Sequence, residues 1–161
     1  MMKYYDSISK GYEELYGEEQ LSKAMIVLDN IKPSKKQLLL DVGCGSGAFL
    51  ELCQCRKIGL DPSLKLLKKS KGFVVQGKAE YLPFKDRCFD FVVSITAIHN
   101  FDNVKKAINE IKRVAKSMVI ISLLRQSKNF DKIRAELEKS FLVKKIILEK
   151  KDAIFVLNNK I

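Results

Sequence analysis

The sequence predicts an α/β domain built on a mostly parallel sheet of seven strands that ends in an antiparallel hairpin. Three observations predict it. From residue 38 onward, short apolar runs alternate with segments of helical periodicity, the pattern of successive βαβ units. The first run, Leu38 to Val42, passes straight into glycines at every second position, Gly43, Gly45 and Gly47, as a strand-to-helix turn at a ligand would. The last two runs are joined only by Glu149-Lys150-Lys151-Asp152, a connection too short for a helical crossover, so they pair antiparallel.

The elements follow in order. Leu21, Met25, Ile26 and Leu28 recur with helical spacing up to the Lys32-Pro33 stop. Leu38 to Val42 is the first strand, and Ala48 to Gln54 is its helix. Lys57 to Leu60 is the second strand; it closes on Asp61-Pro62, and a helix capped by Ser63 runs to Lys69. Phe73 to Gln76 is a short third strand ended by Gly77. Phe89 to Ile95 is the fourth strand, Asp102 to Ala115 an amphipathic helix, and Met118 to Leu124 the fifth strand. A helix from Asn129 to Ser140 leads into the hairpin strands Phe141 to Leu148 and Ala153 to Leu157.

With 161 residues, 47% hydrophobic and 30% charged, the chain can bury one core, and 1–161 reads as a single domain. The apolar runs fall short of the roughly 20 residues that span a bilayer, and Met1 to Gln20 is too polar for a signal peptide, so no membrane partner and a cytoplasmic address are expected. His99 is the only histidine and no C-x-x-C pair exists, so no metal site is expected. Cys44, Cys53, Cys55 and Cys88 read as free thiols, with a Cys53 or Cys55 bridge to Cys88 open in a heat-adapted protein. The net charge of +11 is crowded between Arg56 and Arg87 and between Lys105 and Lys151. That distribution suits a polyanion such as RNA, and equally a lysine-rich, heat-adapted surface.

The glycine turn selects among cofactors. No lysine follows the glycines, so the triphosphate-binding pattern G-x-x-x-x-G-K-[ST] is missing. The spacing is G-x-G-x-G, not the G-x-G-x-x-G of a dinucleotide site, and Asp41 puts a carboxylate where a pyrophosphate would be repelled. A carboxylate suits a ligand carrying an ammonium and a sulfonium, which is S-adenosylmethionine. Asp61, at the end of the second strand, then offers an acceptor to two ribose hydroxyls.

The stretch from Asp41 resembles the class I S-adenosylmethionine-dependent methyltransferases. It carries "DVGCGSG", Gly77-Lys78-Ala79-Glu80-Tyr81-Leu82-Pro83-Phe84 and Phe89-Asp90-Phe91-Val92-Val93-Ser94 in that family's order, and Tyr5 to Tyr12 looks like its "Y-D-x-x-A-x-x-Y" opening, with Ser9 at the alanine position. The resemblance implies a Rossmann-like fold with helices on both faces, residues 1–34 forming a helical lid and 35–161 the core. It implies that Asp41, Gly43 and Gly45 line the methionine end within the turn completed by Cys44 and Gly47. Asp61 and Pro62 would meet the ribose and Lys78-Ala79 the adenine. Ser94 and Ile95 would face the sulfonium, with Tyr5 and Tyr12 closing over the pocket. Lys78 departs from the family, which has an aspartate there to accept from the adenine amine; Glu80 is either its replacement or a surface residue.

Transfer from a sulfonium is an in-line displacement, so the protein mainly positions the acceptor and excludes water, leaving S-adenosylhomocysteine as product. His99 and Tyr5 are the catalytic candidates; His99, in Thr96-Ala97-Ile98-His99-Asn100-Phe101, reads otherwise as a capping or packing residue. The absence of N-P-P-Y and of Pro-Cys after the fourth strand disfavours base-amine, glutamine and cytosine C5 methylation. Two acceptor classes remain by resemblance: modified wobble uridines of tRNA, and quinones or other small molecules. A non-catalytic binding module is the third reading. The chain is short for the family, which implies that an RNA or a small activating subunit supplies part of the recognition surface.

Overall fold

The computed structural model describes residues 17–160. One sheet of seven strands organises them, in the order β3-β2-β1-β4-β5-β7-β6. The elements are α1 (Glu18–Ile31), β1 (Leu38–Val42), α2 (Ala48–Leu52), β2 (Arg56–Asp61), α3 (Leu64–Leu67), β3 (Val74–Gln76) and β4 (Phe89–Ile95). A 3₁₀ turn (Ile98–Asn100), α4 (Val104–Val114), β5 (Ala115–Leu124), α5 (Phe130–Ser140), β6 (Phe141–Glu149) and β7 (Asp152–Asn159) complete the order. Strands β1 to β5 are parallel, and β7 runs antiparallel between β5 and β6. The chain therefore has the expected α/β, Rossmann-like architecture with its C-terminal hairpin. Among the described residues no helix is long and apolar enough to cross a membrane.

The core lies in two layers, one on each face of the sheet. In the first, Ala107, Ile108, Ile111 and Val114 of α4 and Ile133 and Leu137 of α5 pack on Leu40, Val92, Ile121 and Phe155. In the second, Val27, Leu28 and Ile31 of α1, with Phe49 and Leu50 of α2, cover Leu39, Val93, Ile120 and Ile154. Adjacent strand residues feed opposite layers, which is why the central strands read as unbroken apolar runs. The α4 stripe falls at i, i+1, i+4 and i+7, so its loss is felt as core loss: Ile111→Ala would cost about 2–5 kcal/mol.

The differences from the sequence reading have local causes. Strand β2 reaches Asp61, which stays in register with Gln76, whereas Phe73 falls outside β3 and is 83% exposed. Strand β5 starts at Ala115, directly after α4, and a bulge against β4 between Phe89 and Phe91 absorbs the early start. The 3₁₀ turn has no periodic signature because it is a single turn set by tertiary packing.

Candidate active site

The order β3-β2-β1-β4 reverses direction at β1, so the ends of β1 and β4 diverge and leave a crevice, where open α/β sheets bind ligands. The glycine turn fills the floor of that crevice. Gly43, Gly45 and Gly47 all have positive φ (80°, 55° and 78°), so side chains there would be strained. The turn is tied to β2 by the Leu60 carbonyl, which accepts from Gly43 N at 2.7 Å and Cys44 N at 3.0 Å. Asp61 braces it from the same strand: Oδ2 accepts from Gly45 N (2.9 Å) and Oδ1 from Ser63 N (2.8 Å). At Gly43 space also forbids a side chain, since a Cβ would stand 2.5 Å from the Cβ of Ala97.

Above the turn lies a cavity of about 310 Å³ lined by Gly43, Gly45, Asp61, Pro62, Lys78, Ala79, Glu80 and Ile95, all anticipated, and by Thr96, Phe101 and Asp102, which were not. A smaller hollow of about 90 Å³ on the other side of Gly43 and Ile95 is lined by Asp41, Cys44, Gln20 and Ala24. Asp41 is 3% exposed, and its buried Oδ1 has no hydrogen-bond partner among the described residues. Burial, reinforced by the charge of Asp61, pushes its carboxyl up to about 7. An orphaned carboxylate oxygen beside a hollow fits a cationic group, and the pair of cavities fits a ligand with an ammonium at one end and a planar base at the other. Burial pushes the Cys44 thiol up, so it stays protonated and serves as packing.

Four of the expected site residues stand as follows. Glu80 lines the cavity wall and spends one carboxylate oxygen on the fold: Oε1 accepts from Asn103 N at 2.9 Å and so ties the 77–88 loop to the start of α4. Ser94 is fully buried within the strand, and Thr96 is the hydroxyl that reaches the cavity. Gly47 lines neither space; it lets the turn pass Ser70, whose Oγ would stand 2.5 Å from a Cβ there. His99 faces a separate cavity of about 420 Å³ with Lys105, Asn129, Lys132 and Glu136, which shares Phe101 and Asp102 with the first. Burial holds its imidazole below the ordinary value, against the pull of Asp152 and with Lys23 adding to the effect. Its Nδ1 has no partner among the described residues. Tyr5 and Tyr12 lie outside the described residues. All four cysteines are free.

Lys78 does not point its charge into the cavity unopposed. Its Nζ sits 2.8 Å from Oδ2 of Asp102, an exposed pair across the rim, and that bond and charge raise the lysine pKa. The loop carrying Lys78 and Ala79 is held from below by Arg113, which donates to the carbonyls of Phe84 (2.7 Å) and Leu82 (2.9 Å) while pairing with Glu110 and Asp86.

The residues missed in the sequence form a buried polar cluster beside Thr96. Lys23, 1% exposed, places Nζ 2.9 Å from Glu19 Oε1 and 3.1 Å from Asp152 Oδ1, and donates to Thr96 Oγ1 at 3.2 Å. The Asp152 contact is a charge pair rather than an aligned hydrogen bond. Oδ2 of the fully buried Asp152 accepts from Thr96 Oγ1 (2.9 Å) and from Ser122 Oγ. Thr96 is held at φ 52°, an uncommon conformation for a β-branched residue. The clue in the sequence was a lysine among Ala24, Val27 and Leu28 on the apolar face of α1.

Comparison with known proteins places this geometry. A model of the methyltransferase domain matches residues 40–123. An uncharacterized protein of Methanocaldococcus jannaschii, MJ1252, is 36% identical over 120 residues, 71% of this chain and 47% of its own length. A bovine (Bos taurus) protein named probable tRNA methyltransferase 9B is 35% identical over 86 residues, 51% of this chain and 19% of its own. This chain thus spans less than half the length of these two relatives. A methyltransferase of Haloferax volcanii, solved in complex with the Trm112 methyltransferase activator, superposes with a TM-score of 0.78 at 16% identity, covering 97% of this chain and 95% of that one. The chain, with its G-x-G-x-G turn, its orphaned Asp41 and a domain match over half its length, belongs to the S-adenosylmethionine-dependent methyltransferases.

Proposed function

We propose that this methyltransferase acts on RNA, with a modified tRNA nucleoside as acceptor. The observation that carries the reading is the likeness to proteins named tRNA methyltransferase, in a chain of net charge +11. In this reading Asp41 pairs with the ammonium of the methyl donor, Asp61 meets the ribose, and Ala79 offers its backbone to the adenine. Asp102 stands in for the aspartate that Lys78 replaces, since Lys78 occupies Oδ2 and leaves Oδ1 as acceptor. When bound, S-adenosylmethionine supplies an electrophilic methyl group; the chain's own task is to orient the acceptor and exclude water. His99, neutral near pH 7, is placed in the adjoining cavity to take the acceptor's proton. Gln20 and Ala24 of α1 line the hollow at the methionine end in this reading.

A small activating subunit belongs to the same proposal, since the Haloferax volcanii neighbour was solved with one. Strand β3 is a sheet edge that such a subunit could extend, and exposed Phe73, Leu64 and Leu66 flank it. Four free thiols accord with a reducing, cytoplasmic address. The test is transfer of labelled methyl from the cofactor into total tRNA, with and without ribonuclease. Ribonuclease-sensitive label supports the reading. Label that enters only a small molecule such as a quinol, or no transfer despite cofactor binding, refutes it.

A further inference from the structure

The turn between β6 and β7 lies at the same edge of the sheet as the glycine turn. Leu124, the last residue of β5, is in register with Asp152, the first of β7, so Arg125 and Gln126 leave the sheet beside Lys150 and Lys151. These four residues enclose a cleft of about 290 Å³, and three of them are cations. The cleft is held in shape by backbone: Arg125 N donates to the Lys151 carbonyl at 2.8 Å, and its guanidinium reaches the Lys150 carbonyl at 3.4 Å. Among the described residues no carboxylate lies within ion-pair distance of Arg125. Lys150 and Lys151 pair with Glu18 (3.8 Å) and Glu19 (3.1 Å), but both lysines are more than half exposed, and such pairs give way readily to a phosphate. The cleft adjoins the wall of the cofactor cavity through one residue, because Asp152, next to Lys151, accepts from Thr96, which lines that cavity.

The geometry points to this cleft as a docking site for backbone phosphate of the RNA acceptor, which sets the acceptor nucleoside beside Thr96 and His99. Arginine presents a planar fork that matches phosphate oxygens, and the two lysines add mobile charge. Lys128, on the connection from β5 into α5, and Lys132, in the first turn of α5, are exposed and extend the same basic edge from the cleft toward the His99 cavity. The inference rests on the RNA reading above.

The test compares binding of fluorescently labelled total tRNA by the full chain and by two charge-reversal pairs of equal net change. Arg125→Glu with Lys150→Glu alters the cleft. Lys35→Glu with Lys36→Glu alters the exposed turn before β1, at the opposite edge of the sheet. Binding of S-adenosylhomocysteine reports that each variant is folded. The cleft pair should lose about tenfold or more in tRNA affinity and flatten the dependence of log affinity on log salt by about one to two, while the control pair loses threefold or less. Equal losses in both pairs, or no loss in the cleft pair, overturn the inference while leaving the RNA reading standing. No tRNA binding by the unaltered chain, with S-adenosylhomocysteine still bound, overturns both.

Discussion

Lowering the pH from about 8 to about 6 should weaken S-adenosylhomocysteine binding about tenfold. The perturbation acts on Asp41, whose buried carboxyl is pushed up to about 7. If the ligand ammonium pairs only with the carboxylate, the competent fraction falls from about nine tenths to about one tenth across that interval, which is about 1.4 kcal/mol of binding free energy. Calorimetry in two buffers of different ionisation enthalpy checks the origin directly: at about pH 6.5, binding should release about three quarters of a proton. Asp41→Asn should abolish both the proton release and the pH dependence. Stability of the unliganded chain carries the opposite sign. The folded pKa lies above the unfolded one, so this group's contribution is fully present below about pH 4 and is lost as the pH rises through about 7. The ligand should therefore raise the melting temperature more at about pH 8 than at about pH 6. A pH-independent affinity, or a pH dependence that survives Asp41→Asn, would refute the assignment of Asp41 to the ammonium.

Further expectations follow from the same geometry. Gly43→Ala should reduce cofactor affinity more than tenfold and lower the melting temperature, because its Cβ would meet that of Ala97 at 2.5 Å on a backbone already at φ 80°; thermal scans with and without ligand test this. Lys78→Ala should change S-adenosylhomocysteine affinity by less than about threefold, since the ammonium is spent on an exposed pair with Asp102. His99→Asn should lower kcat about 100-fold or more with cofactor affinity unchanged; equal kcat would return His99 to a packing role. Thr96→Val removes a hydroxyl bonded to Lys23 and Asp152 and should cost about 1–3 kcal/mol in chemical denaturation.

Most of the architecture was legible because it is local. The strand-turn-helix around Gly43, the cap at Ser63 and the four-residue hairpin connection each announce themselves within one window of sequence. The candidate cofactor turn was local too: Asp41 and the glycines are neighbours in the chain, and Asp61 ends the strand beside them. What the sequence concealed depends on side chains that meet across it. Lys78, a departure from the family's pattern in the sequence, pairs with Asp102, far along the chain, at 2.8 Å. Glu80, open in the sequence between a replacement for the family's aspartate and a surface residue, is buried and accepts from Asn103 N ahead of α4.

The cluster around Thr96 is the clearest case of such concealment. Its hydroxyl meets Lys23 and Asp152 at sequence separations of 73 and 56 residues, so no window of sequence holds Thr96 with either partner. It ties α1, β4, β5 and β7 together at the edge where the cofactor cavity opens. The left-handed backbone at Thr96 leads directly into Ala97, whose Cβ presses on Gly43. The cluster thus shapes the cavity through backbone conformation, and a β-branched residue adopts that conformation only while its hydroxyl is held. Glycine adopts it without help. Thr96→Gly should therefore retain more cofactor affinity than Thr96→Val, although both remove the same hydroxyl. A titration in which the glycine variant binds no better than the valine variant would show that the cluster acts through the hydroxyl itself and not through the turn it holds.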